Sequence, residues 1–225
     1  MKRFLIILMV LALGLSVSAQ QTCPDNNHPH AIDLGLPSGT KWACCNVGAT
    51  SPEQYGSYVA WGETKSKTDY SWNSYQWGSG KGQTTKYCNN SSFGKDGFTD
   101  SKITLEVADD AARSNWGSQW HTPTSADFQE LIENTTSEWI DGGDGKGVSG
   151  RIFKSSNGKS LFFPAAGYRN GTSLHEANLC GDYWSKSLNI GTPNRASTLY
   201  FNSEDVDVYY YSNRGHGHVI RPVHR

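Results

Sequence analysis

Hydrophobic positions fall in short runs along most of this chain, and helical spacing is confined to its middle. From Ala31 to Val47, "AIDLGLPSGTKWACCNV" predicts two short strands about a turn whose geometry Pro37 and Gly39 supply. Leu105, Ala108 and Ala112 recur at helical spacing with Gly117 as a terminator, which predicts a helix from Glu106 to Asn115. A second helix is marked more fully. Thr124 can cap it, Asp127 sits at the return position of a capping box, and Phe128, Leu131 and Ile132 make one apolar stripe. Pro123 fixes the backbone just ahead of the cap and biases Thr122 towards an extended conformation, and Trp120 is read as the anchor of that helix start.

Beyond Asn134 the helical spacing stops. "RIFKS" and "SLFFPAAG" read as strands joined through Asn157-Gly158, a strong hairpin signal, and "STLYFNS", "DVYYYSN" and "HVIRPVHR" read as three more. The fold class is therefore α+β, with the termini expected to meet in one sheet. No internal repeat and no domain linker interrupts the pattern. Between Gly62 and Asp100 the chain is rich in Ser, Gly, Asn, Lys and Thr, yet it carries Tyr70, Trp72, Tyr75, Trp77, Tyr87 and Phe93. A disordered linker would seldom hold so many aromatics, so the segment is expected to be a long ordered loop packed by its own side chains.

The first nineteen residues change where the protein is expected to act. Lys2 and Arg3, an apolar run from Phe4 to Leu15 and the small-residue ending Val17-Ser18-Ala19 have the layout of a secretory signal peptide. Residues 1–19 are thus expected to be removed, leaving a flexible segment at 20–30 and one domain over 31–225, secreted, periplasmic or at the cell surface. The apolar run is too short for a comfortable bilayer span, so no membrane insertion is expected. Loss of Lys2 and Arg3 moves the formal charge from −1 to −3. With no basic run to displace counterions, nucleic acid is excluded as a partner. Five cysteines (Cys23, Cys44, Cys45, Cys88 and Cys180) in an exported chain favour a disulfide, with Cys88 or Cys180 expected to pair with Cys44 or Cys45. In a strand, Cys44 and Cys45 would point to opposite faces, so at most one is expected to face the core.

The aromatic loop supplies the first candidate site. Trp72, Tyr75 and Trp77 with neighbouring Asn73, Gln76, Asn89 and Asn90 have the composition of a glycan site, in which aromatic faces stack on sugar rings and amides read hydroxyls. The same aromatics would equally serve to pack the loop onto the domain. Asp141 with Asp144, or Asn202, Glu204, Asp205 and Asp207, could begin a calcium set, but neither segment completes one and solvated acidic turns are expected. His28-Pro29-His30 and His216-Gly217-His218 could each offer two imidazoles to zinc, but the sequence nominates no third ligand. No metal, cofactor or catalytic residue is therefore assigned. The chain also lacks a GxSxG elbow, an HExxH motif and a P-loop, and no enzyme activity is expected.

Several phrases together, "DLGLPSGTKWACCNVGA", "YGSYVAWGET", "DDAARSNWGSQWHTPTSADFQEL", "FFPAAGYRNG", "GDYWSKS" and "GHVIRPV", resemble the Fibrobacter succinogenes major paralogous domain of exported Bacteroidetes proteins. The resemblance runs from about Ala31 to Val223. It implies a C-type-lectin-like domain, with two helices flanking small antiparallel sheets. That fold hosts many functions, so the resemblance implies little about activity. His121 stands where the family mostly has Arg, which puts a strict ion-pair role for that position in doubt. The oxidase chemistry of related folds relies on paired late cysteines, and here Cys180 is the only cysteine after Cys88. The expected function is a non-catalytic module that binds an extracellular glycan or surface protein, with a structural or assembly role in the cell envelope as the alternative.

Overall fold

A computed structural model describes residues 27–142 and 147–225, so the predicted leader, Cys23 and Asp144 lie outside the described residues. Strands β1 (Ala31–Ile32) and β2 (Lys41–Ala43) flank the Pro-Ser-Gly turn, and only 3-10 turns, at Trp72–Ser74, Lys95–Gly97 and Val107–Asp109, follow before the first helix. Helix α1 (Ala111–Trp116), strand β3 (Trp120–His121) and helix α2 (Ser125–Glu133) form the middle. Strands β4 (Thr136–Ile140), β5 (Gly150–Lys154), β6 (Ser160–Pro164), β7 (Tyr168–Asn170) and β8 (Ser173–His175) come next. Strands β9 (Gly181–Leu188), β10 (Arg195–Phe201), β11 (Val206–Asn213) and β12 (Val223–His224) close the chain. The class is mixed α+β, with two α-helices and several short antiparallel sheets among the described residues.

The two ends of the domain do meet. Strand β12 lies between β2 and β3, with Val223 opposite Trp42 on one side and His121 on the other. Strands β4, β5 and β6 form a meander whose β5–β6 turn closes at Asn157-Gly158, where Gly158 takes the φ of +85° that a tight turn requires. Strand β10 is the centre of a third sheet, flanked by β9 and β11, and β7 and β8 form a separate hairpin. Strands β4, β7, β8 and β9 carry no clear alternating pattern in the sequence. Their pairing partners, not their own residues, define them.

Helix α2 starts as its sequence predicts. Thr124 Oγ1 accepts from Asp127 N at 3.1 Å while Asp127 Oδ2 accepts from Thr124 N at 2.7 Å. Phe128 and Leu131 are buried, and Trp120 packs edge-on to Trp116 and His224. Helix α1 starts at Ala111, five positions later than its periodicity predicts. Asp110 caps it by accepting from Ala112 N and Arg113 N, and the same carboxylate takes the N–H and hydroxyl of Thr122. Asp109, one residue earlier, is engaged by Lys86 and the Tyr87 hydroxyl. Residues 107–109 therefore stay in a 3-10 turn that serves two long-range contacts instead of a longer helix. His121 faces the same cap, its Nδ1 lying 3.9 Å from Asp110 Oδ2, and burial lowers its pKa.

Strand β2 ends at Ala43, so Cys44 and Cys45 lie in a bend, and both are buried. This corrects the expectation of opposite faces, because strand alternation does not extend past the last paired residue. Cys44, Cys45, Cys88 and Cys180 are all thiols, with no disulfide among the described residues. Cys88 Sγ donates to Asn90 O and Cys180 Sγ to Glu176 Oε2, and burial pushes the Cys180 pKa up.

Two arginines, Arg214 and Arg221, are fully buried. Arg221 donates through Nε to Asn46 Oδ1 (2.7 Å), through Nη1 to Ala43 O (3.2 Å) and Cys44 O (2.8 Å), and through Nη2 to Phe162 O (2.8 Å). Its guanidinium lies 4.5 Å from the centre of the Phe163 ring. One side chain thus ties the end of β2 to β6 and to the entry of β12. We predict that Arg221→Leu lowers unfolding stability by at least about 3 kcal/mol, because several buried acceptors lose their donor. Denaturant unfolding measures this, and an unchanged midpoint would refute the role given to Arg221.

Candidate functional site

Strand β11 carries three consecutive tyrosines, and side chains on a strand alternate between faces, so the three cannot all enter the core. Tyr209 is 80 % exposed, and Tyr210 and Tyr211 are exposed beside it. Tyr210 stands opposite Thr198 on β10, and its ring centre is 4.7 Å from that of Tyr200. The Arg195 guanidinium lies 5.1 Å from the Tyr211 ring. The opposite wall is Tyr168 on β7, stacked on His175 at 5.3 Å and on His216 at 5.7 Å. Between the walls is a cleft of about 250 Å³.

Asp182, on β9, forms the floor. It is only 4 % exposed, and burial pushes its carboxyl up to about 7 against the lowering effect of a side-chain hydrogen bond with Thr198. Its Oδ2 lies 3.4 Å from Nδ1 of His218. His218 Nε2 is 2.9 Å from Ser212 Oγ, and Ser212 Oγ is in turn 3.3 Å from His216 Nδ1. Burial lowers the pKa of both histidines, His218 well below the usual imidazole range. A carboxyl has room for more than one hydrogen bond, so Asp182 at the base of the cleft keeps acceptor capacity beside Thr198. Glu176 adds a second carboxylate at the rim from a left-handed backbone position, φ +57°.

The aromatic loop supports this cleft from behind. A Cβ on Gly217 would come within 2.6 Å of the Tyr70 ring, so the His216-Gly217-His218 turn rests directly on that tyrosine. Trp72 lies beneath Gly215 and packs edge-on to Tyr75 at 5.4 Å. Tyr75 is 6 % exposed, and its hydroxyl donates to Trp61 O and accepts from Arg214 Nε. Trp77 is half-buried, donates to Gly62 O and has Lys86 Nζ 4.5 Å over its ring. The structure thus gives Trp72, Tyr75 and Trp77 internal partners and brings a different aromatic set to the surface. The sequence does carry a signal for that set: three adjacent tyrosines in a predicted strand.

The acidic candidates cap turns. Asn202 Oδ1 accepts from Glu204 N and Asp205 N, Asp205 Oδ1 from Val206 N, and Asp207 Oδ1 from Tyr209 N. Of the two His-x-His sequences, the second places His216 in the cleft lining and the first lies beside Cys44.

The raised Asp182 pKa sets a pH dependence. Between its unfolded value near 3.8 and about 7, the folded state holds a proton that the unfolded chain has released, so this group's contribution to stability falls as pH rises through that window. His218, lowered by burial, works the other way below its unfolded value of 6.5. Asp182→Asn is expected to raise the thermal midpoint by roughly 5 °C near pH 8, with the gain vanishing near pH 4. Thermal melts at the two pH values check this, and a gain of equal size at both would remove Asp182 as its source. No family model, curated relative or solved structure matches this chain, so the chemistry of the cleft rests on its own geometry.

Proposed function

We propose that this chain is an exported, non-catalytic binding module with a C-type-lectin-like fold of the Fibrobacter major paralogous type, and that its cleft holds the end of an extracellular glycan. The mixed α+β architecture and the sequence phrases from Ala31 to Val223 support the fold reading. A carboxyl oxygen of the buried Asp182 on the floor of a tyrosine-walled cleft carries the functional one. A sugar hydroxyl would donate to that oxygen. The remaining hydroxyls would meet Glu176, Arg195 and Asn213, while the C–H face of the ring would lie on Tyr210 or Tyr168. The cleft volume is below the ~300–1,000 Å³ of sites that enclose a drug-sized ligand, which suits one terminal sugar and not an embedded oligosaccharide.

A glycan array probed with the purified protein tests the reading. Tyr210→Ala is expected to weaken the recognised glycan about tenfold, and Asp182→Asn by a similar factor, both with unchanged circular dichroism. Full retention of binding in both variants would refute the site. If crosslinking on intact cells instead captured a stoichiometric protein partner, with no glycan signal on the array, the assembly role in the cell envelope would replace it.

One observation favours a second reading. Ser212, His218 and Asp182 stand in the order of a hydrolytic triad, at 2.9 and 3.4 Å. The binding reading is preferred because the 3.4 Å approach of Asp182 to His218 Nδ1 does not make the hydrogen bond that orients the imidazole of a triad. Covalent labelling of Ser212 by a fluorophosphonate probe would reverse the preference.

A further inference from the structure

The first His-x-His sequence meets the adjacent cysteines. His28 Nδ1 is 3.0 Å from Cys44 Sγ, His30 Nδ1 is 3.6 Å from it, and the His30 backbone N–H donates to it at 3.1 Å. Ligand atoms of His28, Cys44 and Cys45 all lie within 4.8 Å of one another. A tetrahedral zinc with ordinary Zn–S and Zn–N bonds places its sulfur and nitrogen ligands about 3.5 Å apart, so the ligand atoms of His28, Cys44 and Cys45 need to move by only about an ångström to share an ion, and the His30 ring must swing further to join them. The bend after Ala43 makes this possible. In a continuing strand Cys44 and Cys45 would diverge, whereas here both turn inward. Both thiols are buried while both imidazoles are half-exposed, which leaves an entry path on the histidine side.

We infer that His28, Cys44 and Cys45 bind one zinc ion, with His30 as the fourth ligand. Two sulfurs and two imidazoles suit zinc and not the hard cations that take oxygen ligands. The His30 N–H and the His28 imidazole already point at Cys44 Sγ, the atom that would hold the metal. On binding, zinc takes the sulfur lone pairs and the thiol protons pass to solvent, with no change of oxidation state. The ion then staples the segment before β1 to the end of β2. The same carbonyls of Ala43 and Cys44 that Arg221 holds fix the bend from below.

The test uses purified protein, reduced and stripped with a chelator, then titrated with zinc alone against a chromophoric competitor. One equivalent is expected to bind and to raise the thermal midpoint. Cobalt in place of zinc is expected to give the intense thiolate-to-metal absorption, a readout that needs no variant. Cys44→Ser is expected to weaken zinc binding at least about 100-fold, while His216→Ala, in the cleft, leaves it unchanged. The proposal is overturned by the absence of a saturable equivalent, by binding that survives Cys44→Ser, or by a Cys44–Cys45 disulfide that binds no zinc after reduction.

Discussion

Two buried guanidinium groups set the terms on which this chain folds. Neither Arg214 nor Arg221 meets a carboxylate among the described residues, so each charge is compensated by carbonyl oxygens and aromatic faces. A charge removed from water without such partners would cost far more than a small domain can tolerate. Every segment that supplies a carbonyl is therefore fixed in place. Arg214 collects Lys86 O, Tyr87 O and Pro193 O, which lie on otherwise irregular stretches. Arg221 collects the end of β2 and the β5–β6 meander. The arginine fork spreads its donors over three nitrogens and so reaches carbonyls further apart than the single nitrogen of a lysine can.

The same logic explains why a long region with so little regular structure is ordered. Between Ala43 and Ala111 few backbone groups join a ladder, and aromatic side chains supply the missing bonds. Tyr58 donates to Ala166 O, Tyr70 to Tyr58 O, Tyr75 to Trp61 O and Trp61 to Ser185 O. Each ring buries apolar area and satisfies a carbonyl with its polar end. The proposed binding cleft depends on this frame, because the turn carrying His216 and His218 rests on Tyr70 and Trp72. A rigid rear wall leaves the tyrosines of β10 and β11 free to face solvent.

The candidate site was only partly legible in the sequence. Trp72, Tyr75 and Trp77 stand out by their density in a polar segment, but density does not distinguish a packed loop from a presented face. That distinction lies in their partners: Arg214, Gly62 and Gly215 are distant in sequence or unremarkable in type. Tyr209 to Tyr211 carried a signal, since alternation forces part of such a run outward. Asp182 carried none. Its place in the proposed cleft comes from burial, which depends on how β9 packs against β10.

Local chemistry determined the elements whose causes are adjacent in the chain. The Thr124–Asp127 capping box, the Asn157-Gly158 hairpin, the Pro-Ser-Gly turn and the α+β class all follow from residues within a few positions of one another. The tertiary structure decided what requires residues far apart to meet. It shortened α1 because Asp109 and Asp110 are claimed by Lys86, Tyr87 and Thr122. It turned Cys44 and Cys45 inward together, towards His28. It also closed a cleft from strands that only pairing defines. Spacing along a chain encodes local geometry, and only packing determines which distant side chains share a site.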